Sequence, residues 1–375
     1  MVITSYRDVE RKKKMMDKIV NVGIVGCGGI ANNRHLPALV KMKNVRIVAL
    51  SDNDINRAKQ TAERFHLEVE CYADYRDLLG NRQVEVIHVC TPNESHAQIS
   101  IDGLRAGKHV MCEKPMASTL EQARQMIYAR DETGKKLTIC ANTRYRKDCW
   151  HLKKLCQDHE FGEIYLAKAN AIRRRGVPTW GNFLDKDIQG GGPVIDIGVH
   201  SLDLTLWLLD NYEPHFVVGK TFNKLAKLGS PANPYGNWEP ESFTVEDAGI
   251  GMVVMKNGAV IMLEASWAMN IRDENPGLVT ACGTKAGFDM KNGVTINGEK
   301  NGLLYDHNII LNPQKIAFYE DDAGEVYDTE LEMQMWIQAV IEDKAPVVLP
   351  EQMLVATQII DAIYQSDETG KPVFF

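Results

Sequence analysis

The sequence lacks the features of a membrane protein and of a nucleic-acid-binding protein. None of its apolar runs reaches the ~18 residues that suggest a transmembrane helix, and its N-terminus has no apolar stretch typical of a signal peptide. The formal net charge of -7 gives no basic surface that would attract nucleic acid. We therefore expect a cytoplasmic protein with neither membrane nor nucleic-acid partners.

Cysteine pairs with the spacing of metal or redox sites are also missing. The eight cysteines include no Cys-x-x-Cys pair, and Cys90 and Cys140 end the apolar runs EVIHVC and LTIC, which is typical of buried thiols in a reducing compartment. The densest Cys/His stretch is CWHLKKLCQDH, residues 149–159. In a helix, His151 would point about 200° away from Cys149, so these side chains cannot converge on one ion. We expect no metal.

The sequence contains no internal repeat and no low-complexity segment, and its length of 375 residues favours two or three domains. Polar residues 1–18 predict an N-terminal arm. Residues 19–141 alternate short apolar runs with helix-like segments, a pattern typical of βα units around a parallel sheet. Residues 142–375 contain longer strand-like segments, and Asn257-Gly258 predicts a hairpin turn between two of them.

One helix of the first unit has clear boundary signals. Ser118 precedes Glu121 by three residues, which predicts a capping box at the start of this helix. Gly134 stands where the helix should end.

A glycine turn follows the first apolar run. In GCGGIA, residues 26–31, Gly26, Gly28 and Ala31 fit the G-x-G-x-x-A pattern between the strand IVNVGIVG and a helix. The first glycine permits a tight turn, the second lets the backbone approach a pyrophosphate, and the small third residue lets the helix pack on the strand. We predict a dinucleotide site that also includes Gly29 and Ile30. Glycines needed only for the turn are the alternative.

Asp52 bears on the choice of cofactor. It ends the second apolar run, 21 positions after Ala31, where a carboxylate can accept hydrogen bonds from ribose hydroxyls and would repel a 2′-phosphate. NAD is therefore favoured over NADP, although Arg57 nearby could soften the preference. The alternative role for Asp52 is a helix N-cap, which Asp54 could fill equally well.

Three further stretches accompany the glycine turn: CTPNESH (90–96), AGKHVMCEKPMA (106–117) and GGGPVIDIGVHSLDL (190–204). In their order and spacing the sequence resembles the Gfo/Idh/MocA oxidoreductase family over nearly its whole length, and the combination of E-K-P with D-x-G-x-H is specific. The resemblance implies an α/β fold: a Rossmann NAD-binding domain, then an α+β domain with a large, mostly antiparallel open sheet. Such sheets commonly form the oligomer interface, so we expect a homodimer or homotetramer.

The resemblance also implies which residues act. Lys114 of E-K-P, with Asp196 and His200 of D-x-G-x-H, should face the nicotinamide in the cleft between the domains. Glu113 should hold the ribose or position Lys114. Four further residues should lie along the cofactor cleft: Thr91, Pro92, Asn93 and His96.

Alcohol oxidation requires these residue types on chemical grounds, independently of the resemblance. A histidine suits the base that removes the hydroxyl proton, so His200 is the predicted base. The Lys114 ammonium can stabilise alkoxide charge, and the Asp196 carboxylate can orient the substrate. The alternatives are a solvated lysine, a helix cap and a core histidine. A metal at Asp196 and His200 lacks further suitable ligands, and we expect Asp203 to orient His200 by a hydrogen bond.

The predicted substrate is a sugar, a glycoside or a cyclitol such as inositol. The stretch AIRRRGVPTWGNF, residues 171–183, offers Trp180 and Phe183 as faces for a pyranose and Arg173 as a donor to hydroxyls, whereas a solvated loop is the alternative. Arg144 of NTRYR is a further predicted substrate contact. We predict an NAD-dependent dehydrogenase that acts on a ring hydroxyl. The rival hypotheses are an NAD-dependent glycosidase that uses transient oxidation and a catalytically silent sugar or dinucleotide sensor.

Overall fold

The computed structural model describes residues 18–310 and 328–375. Nearly all of the predicted N-terminal arm, residues 1–18, lies outside this part of the chain. Within the described residues, no helix combines the length and the apolar character needed to cross a membrane.

The first half of the chain forms a six-stranded parallel sheet in the order β3-β2-β1-β4-β5-β6. This is the doubly wound order, in which a ligand binds beyond the carboxyl ends of β1 and β4, where the strand order reverses. The parallel sheet of the predicted Rossmann domain is confirmed. Its strands are β1 (Val20–Val25), β2 (Val45–Ser51), β3 (Glu70–Tyr72), β4 (Val86–Val89), β5 (His109–Cys112) and β6 (Leu137–Ile139).

Helices connect these strands and cover the sheet, because the strands are apolar on both faces and must be buried on both. The first helix after the glycine turn begins as a π-helical turn over Ala31–His35. The helices of this unit are α1 (Leu36–Leu39), α2 (Ile55–Arg64), α3 (Tyr75–Gly80), α4 (Asn93–Arg105) and α5 (Leu120–Thr133).

The start of α5 differs from the sequence prediction. Thr119, not Ser118, is the N-cap, and its side chain accepts a hydrogen bond from the Gln122 N–H. The hydroxyl of Ser118 is buried with no hydrogen-bond partner in the described part of the chain. Gly134 ends the helix with φ +64, as predicted. Both residues carry a hydroxyl and are followed three positions later by Glu or Gln, so the sequence pattern did not distinguish them.

The second half of the chain forms a nine-stranded sheet in the order β14-β13-β12-β11-β7-β10-β9-β8-β15. Strands β7 and β10 pair parallel, and the other neighbours pair antiparallel, so the mostly antiparallel sheet is confirmed. The predicted Asn257-Gly258 turn joins β9 to β10. The strands are β7 (Ile164–Ile172), β8 (Pro214–Phe222), β9 (Ala248–Met255), β10 (Val260–Ser266), β11 (Asn275–Gly283), β12 (Ala286–Asp289), β13 (Val294–Lys300), β14 (Leu303–Ile309) and β15 (Val373–Phe374).

Helices pack on one face of this sheet. A would-be Cβ at Gly219 of β8 or at Gly251 of β9 would meet Ile363, so the chain uses glycine where a helix approaches closely. The helices of the second half are α6 (Lys147–Gln157), α7 (Lys186–Gln189), α8 (Val199–Leu209), α9 (Asp328–Ile341) and α10 (Pro350–Thr369).

Helix α9 returns to the first half of the molecule. It contacts α1, the π-helical turn before it and a short 3₁₀ turn over Asn142–Tyr145. Its buried residues Met333 and Trp336 belong to the same hydrophobic cluster as Val20 and Leu36. Helix α9 therefore supplies one wall of the cleft beside the glycine turn.

Candidate active site

A cavity of about 480 Å³ opens between the two sheets, within the size range of ligand pockets. It brings together residues from seven separate parts of the chain. Lys114, Asp196 and His200 all line it, as does Ile30 of the glycine turn. Of the other predicted substrate contacts, Arg173 and Trp180 line it and Arg144 does not.

The glycine turn has the backbone that a dinucleotide requires. Gly26 has φ +92, and a Cβ there would lie 2.7 Å from the Cys90 carbonyl oxygen. A Cβ at Gly28 would meet nothing within 4 Å, so open space lies in front of this backbone. Ala31 is fully buried against β1 and its neighbours. The turn thus leaves room for a pyrophosphate at the start of the helix.

The carboxylate of Asp52 is nearly buried behind this turn. Its Oδ2 accepts a hydrogen bond from the Cys27 N–H at 2.9 Å, and its Oδ1 accepts from the Asp54 N–H at 2.9 Å. Arg57 pairs with it at 3.1 Å. The N-cap of α2 is Asp54, whose side chain accepts from the Asn56 N–H. The cap role therefore belongs to Asp54, and the Asp52 carboxylate stands at the end of β2 paired with Arg57.

Lys114 reaches from the end of β5 across the cleft to the second half of the molecule. Its Nζ donates to Asp196 Oδ1 at 2.8 Å and to the Asp196 carbonyl oxygen at 3.0 Å. The side chain retains 20% exposure, and it lines the cavity. The ammonium is therefore fixed in position while one side of it still faces the cavity.

Asp196 lies on a second π-helical turn, Val194–Gly198, which leads into α8. Burial alone would raise the pKa of its carboxyl, but the Lys114 ammonium outweighs burial and holds that pKa below its usual value. Its other oxygen, Oδ2, accepts a hydrogen bond from Trp267 Nε1 at 3.1 Å. Sequence reasoning missed Trp267, because nothing in the SWAM stretch at the end of β10 (266–269) distinguishes it from a core tryptophan.

His200 lies one turn after Asp196 and faces the same cavity. Burial, and then the nearby Lys114 ammonium, lower the pKa of His200 to about 3. The imidazole is therefore neutral at physiological pH, with a lone pair available to accept a proton. Asp203 does not orient this ring, because both of its oxygens are occupied by Arg144.

The GGGP run shapes the approach to Asp196. Glu246 is buried beneath it, and its carboxylate accepts hydrogen bonds from the Gly192 N–H at 2.8 Å and the Val194 N–H at 3.1 Å. A Cβ on Gly192 would lie 2.2 Å from the Glu246 carbonyl oxygen. The close approach of the two backbones explains why glycine precedes this turn, and the hydrogen bonds to Glu246 anchor the turn to the segment before β9.

Glu113 is held by a buried chain of hydrogen bonds that the sequence did not suggest. Its Oε2 accepts from the Lys114 N–H at 3.1 Å, and its Oε1 lies 2.8 Å from His35 Nε2. Burial would raise the pKa of Glu113, but His35 and then Lys114 outweigh it and lower that pKa to about 2. The carboxylate thus stays ionised beside Lys114.

The far end of this chain is His88, whose Nδ1 lies 2.9 Å from His35 Nδ1. His88 Nε2 is buried without a partner among the described residues. A buried N–H without an acceptor is rarer than a buried acceptor without a donor. We therefore assign the hydrogen of His88 to Nδ1, which leaves Nε2 as the unpaired acceptor. The hydrogens then run from His88 to His35 and from His35 to Glu113.

Arg144 and His96 are two of the predicted site residues that do not line the cavity. The Arg144 side chain is fully buried and pairs with Asp203, so its predicted contact with substrate is wrong in this geometry. His96 is also buried: its ring nitrogens lie 2.8 Å from the Pro115 oxygen and 2.9 Å from the Thr91 oxygen. His96 thereby braces the backbone beside Lys114 instead of facing a cofactor.

Thr91, Pro92 and Asn93 follow β4 at the carboxyl edge of the sheet, as a cofactor cleft requires. Asn93 Nδ2 donates to the Gln189 carbonyl oxygen at 3.0 Å and so links the two halves of the molecule. Contact of these three residues with a cofactor remains a prediction.

The cavity also contains residues that sequence reasoning did not select. They come from the turn after the glycine motif, from the segments after β6, β7 and β8, and from α9. Glu332 of α9 is the most unusual, because burial, reinforced by Glu113, raises the pKa of its carboxyl far above the usual range. The residues missed are Arg34, Cys140, Thr143, Arg146, Pro178, Tyr235, Thr329, Glu332 and Met333.

Two family models match the chain. The first, described as "Oxidoreductase family, NAD-binding Rossmann fold", matches residues 20–140. The second, described as "Oxidoreductase family, C-terminal alpha/beta domain", matches residues 153–375. Together they cover most of the chain and both of its sheets.

Curated relatives include the D-glucoside 3-dehydrogenase of Escherichia coli, which is 34% identical over 96% of this chain and 99% of its own length. The inositol 2-dehydrogenase of Salmonella typhimurium is 31% identical over 51% of this chain and 55% of its own. Among solved structures, an oxidoreductase domain protein from Kribbella flavida matches 95% of this chain and 99% of its own, with a TM-score of 0.82 and 22% identity. A levoglucosan dehydrogenase in complex with NADH and L-sorbose covers the same shares, with a TM-score of 0.81 and 22% identity.

Proposed function

The chain belongs to the Gfo/Idh/MocA oxidoreductase family, and on that premise we propose that it transfers hydride between NAD and a ring hydroxyl of a sugar or glycoside. The observation that carries the proposal is the convergence of Lys114, Asp196 and His200 on one cavity beside the glycine turn. The whole-length similarity to a D-glucoside 3-dehydrogenase supports a glucoside-like substrate over a cyclitol.

The residues of the turn fit a dinucleotide. Gly28 leaves open space in front of its backbone, and Asp52 supplies a buried negative charge at the end of β2. NAD, when bound, supplies the hydride acceptor. We infer a preference for NAD over NADP because a 2′-phosphate near Asp52 would meet like charge.

Lys114 has the geometry to stabilise the developing alkoxide. Its ammonium is held by Asp196 and is partly buried, so its charge acts with little screening on an oxygen placed beside it. The second contact, to the Asp196 carbonyl oxygen, keeps the side chain from swinging away. Asp196, ionised and fixed between Lys114 and Trp267, is positioned to accept a hydrogen bond from a neighbouring hydroxyl of the ring.

His200 accepts the hydroxyl proton in this proposal. A base whose conjugate acid has a pKa of about 3 holds a proton only briefly, so His200 passes it onward to solvent. The charge of Lys114 therefore contributes most to lowering the barrier to deprotonation, and His200 relays the proton from the substrate hydroxyl to solvent.

The test is a screen of monosaccharides, glycosides and inositols with NAD and with NADP, followed by the absorbance of the reduced nicotinamide. His200→Ala and Lys114→Ala should retain NAD binding by calorimetry and lose roughly 10²- to 10⁴-fold in turnover. The matched control is His307→Ala, on an exposed position of β14. Cleavage of a chromogenic glycoside without accumulation of NADH would favour the glycosidase hypothesis and overturn the dehydrogenase.

We propose further that the open face of the nine-stranded sheet binds a second copy of the chain. On β8 and β9, Val218 and Ile250 point away from α10 and are exposed, and the half-buried Met252 pairs with Val218. This leaves an apolar patch without a cover in the described chain, as expected of an oligomer interface. All eight cysteines are free, which suits a reducing compartment, and we propose the cytoplasm.

A further inference from the structure

Two aromatic rings stand at the rim of the cavity. Trp180 is 52% exposed and Tyr235 is 49% exposed, and both line the same cavity as Lys114 and His200. Their ring centroids lie 4.8 Å apart at an interplanar angle of 82°, an edge-to-face contact. Exposed aromatic surface beside a pocket is typical of a binding site.

The two loops that carry these rings are tied together. Asn233 is buried, and its amide accepts a hydrogen bond from the Val177 N–H at 3.0 Å and donates to the Val177 oxygen at 2.9 Å. The Thr179 hydroxyl donates to the Tyr235 carbonyl oxygen. The two loops that carry the rings are therefore held together before any ligand binds, which lowers the entropic cost of ordering them for stacking.

A row of aromatic side chains leads from this rim to the catalytic carboxylate. Trp180 contacts Phe183 at 5.8 Å, and Phe183 contacts Trp267 at 6.4 Å, between ring centroids. Trp267 in turn donates to Asp196 at 3.1 Å. Two aromatic side chains thus separate Trp180 from Asp196 along the row. Under the proposed function, a sugar ring held by Lys114 and Asp196 would occupy the inner end of this row and would leave Trp180 and Tyr235 free.

We propose that Trp180 and Tyr235 form a second subsite, which stacks on the ring that follows the reacting sugar. The preferred substrate is then a glycoside that carries a second ring, in preference to a free monosaccharide or a cyclitol. The inference rests on the proposed function and narrows its substrate class. A second pyranose and an aromatic aglycone both present an apolar face of similar size, so either can supply the ring.

The test compares four probes of increasing length: D-glucose, methyl β-D-glucoside, 4-nitrophenyl β-D-glucoside and cellobiose, with the corresponding α-anomers. In the unaltered protein, kcat/KM should rise from the methyl glucoside to a two-ring probe. Trp180→Ala should lower the ratio of two-ring to methyl-glucoside kcat/KM by about 3- to 10-fold, the strength of one aromatic contact. Trp180→Phe should restore most of the ratio, because it keeps a stacking face.

The matched control is Tyr128→Ala on α5, an aromatic position that is 66% exposed and lies outside the cavity. This variant should leave the ratio unchanged. An unchanged ratio in Trp180→Ala, or an equal loss for the methyl glucoside, would overturn the second subsite. A larger loss for cellobiose than for the nitrophenyl glucoside identifies the second ring as a sugar, and the reverse identifies an aromatic aglycone.

Calorimetry separates this inference from the proposed function. The dissociation constants of methyl β-D-glucoside, 4-nitrophenyl β-D-glucoside and cellobiose are measured with the NADH-loaded protein, which requires no turnover. If no probe is oxidised but one of the two-ring probes binds more tightly than the methyl glucoside and Trp180→Ala removes the difference, the subsite stands and the proposed reaction fails. If probes are oxidised and all three glucosides bind alike, the reaction stands and the subsite fails.

Discussion

The guanidinium of Arg144 and the carboxylate of Asp203 form a two-point ion pair in the interior, with no exposure of the arginine side chain. Arg144 Nε lies 2.9 Å from Asp203 Oδ2, and Nη2 lies 2.5 Å from Oδ1. A third nitrogen, Nη1, donates to Gln352 at 2.6 Å. The pair joins the turn after β6 to α8 and α10, the elements that position the cavity.

Removing one partner should therefore destabilise the protein. Arg144→Met leaves the Asp203 carboxylate buried without its counter-charge, which should cost about 3–5 kcal/mol in the free energy of unfolding, measured by urea titration. The control is Arg76→Ala, which breaks an exposed pair with Asp74 and should change little. A variant that raises KM for sugar without losing stability would instead restore Arg144 as a substrate contact.

The second prediction concerns the protonation of His200. Because its pKa in the free protein is about 3, its ring should stay neutral from pH 8 down to pH 5. Histidine NMR, assigned with His200→Asn, should show no titration of this ring in that window. The kcat/KM profile should likewise show no acid limb near pH 6.5, the usual histidine value. An acid limb near pH 6.5 that persists when each of the other histidines is replaced would contradict the assignment.

Asp52 provides a test of cofactor choice. Asp52→Asn keeps an oxygen toward Cys27 but removes the charge, so the preference for NAD over NADP in kcat/KM should fall on the order of tenfold. The matched control is Asp54→Asn, since asparagine caps a helix as well as aspartate and the preference should hold. If the ratio of kcat/KM with NAD to kcat/KM with NADP stays at the unaltered protein's value in both variants, Asp52 only supports the turn.

Acid stability should depend on half-buried His109. Burial, and then Lys135, lower the pKa of its ring to about 4, below the ~6.5 expected in the unfolded chain. Between pH 6.5 and pH 4 the unfolded chain carries a proton on His109 that the folded protein does not carry. The contribution of His109 to the free energy of unfolding is therefore complete above pH 6.5 and is lost toward pH 4, by about 1.4 kcal/mol per pH unit. His109→Asn should flatten this slope in urea titrations at pH 7, 6 and 5, whereas exposed His307→Asn should not. An unaltered slope would assign the acid sensitivity to other groups.

The proposed dimer face can be tested by charge. Met252→Glu places a carboxylate in the apolar patch beside Val218 and should shift the protein toward monomers in analytical ultracentrifugation. Tyr128→Glu, on the exposed side of α5, is the control for added charge. A monomeric unaltered protein at all concentrations would refute this interface.

The motifs that could be read from the sequence are those in which the backbone itself demands a residue type. Gly26 must adopt a positive φ against Cys90, and Gly192 must let the backbone of Glu246 pass. Such demands are local, so they leave a pattern within a few residues. The parallel sheet was predicted from the alternation of short apolar runs with helix-like segments, because strands buried on both faces are apolar throughout.

The pairing of side chains was not readable in the same way. Asp203 shares a helical face with His200, which made a hydrogen bond between them plausible, yet Arg144, 59 positions away, takes both oxygens. Glu332 reaches the cavity only because α9 folds back against the first sheet.

By itself, the sequence determined the fold class and the order of its motifs, together with the lysine, aspartate and histidine that share one cavity. Only the tertiary structure decided which charges are paired and which face the cavity. It placed Trp267 behind Asp196, His35 and His88 behind Glu113, and the rings of Trp180 and Tyr235 at the rim. The reason is physical: a periodic pattern specifies which face of an element is buried, whereas partners far apart in the chain are chosen by how the elements pack.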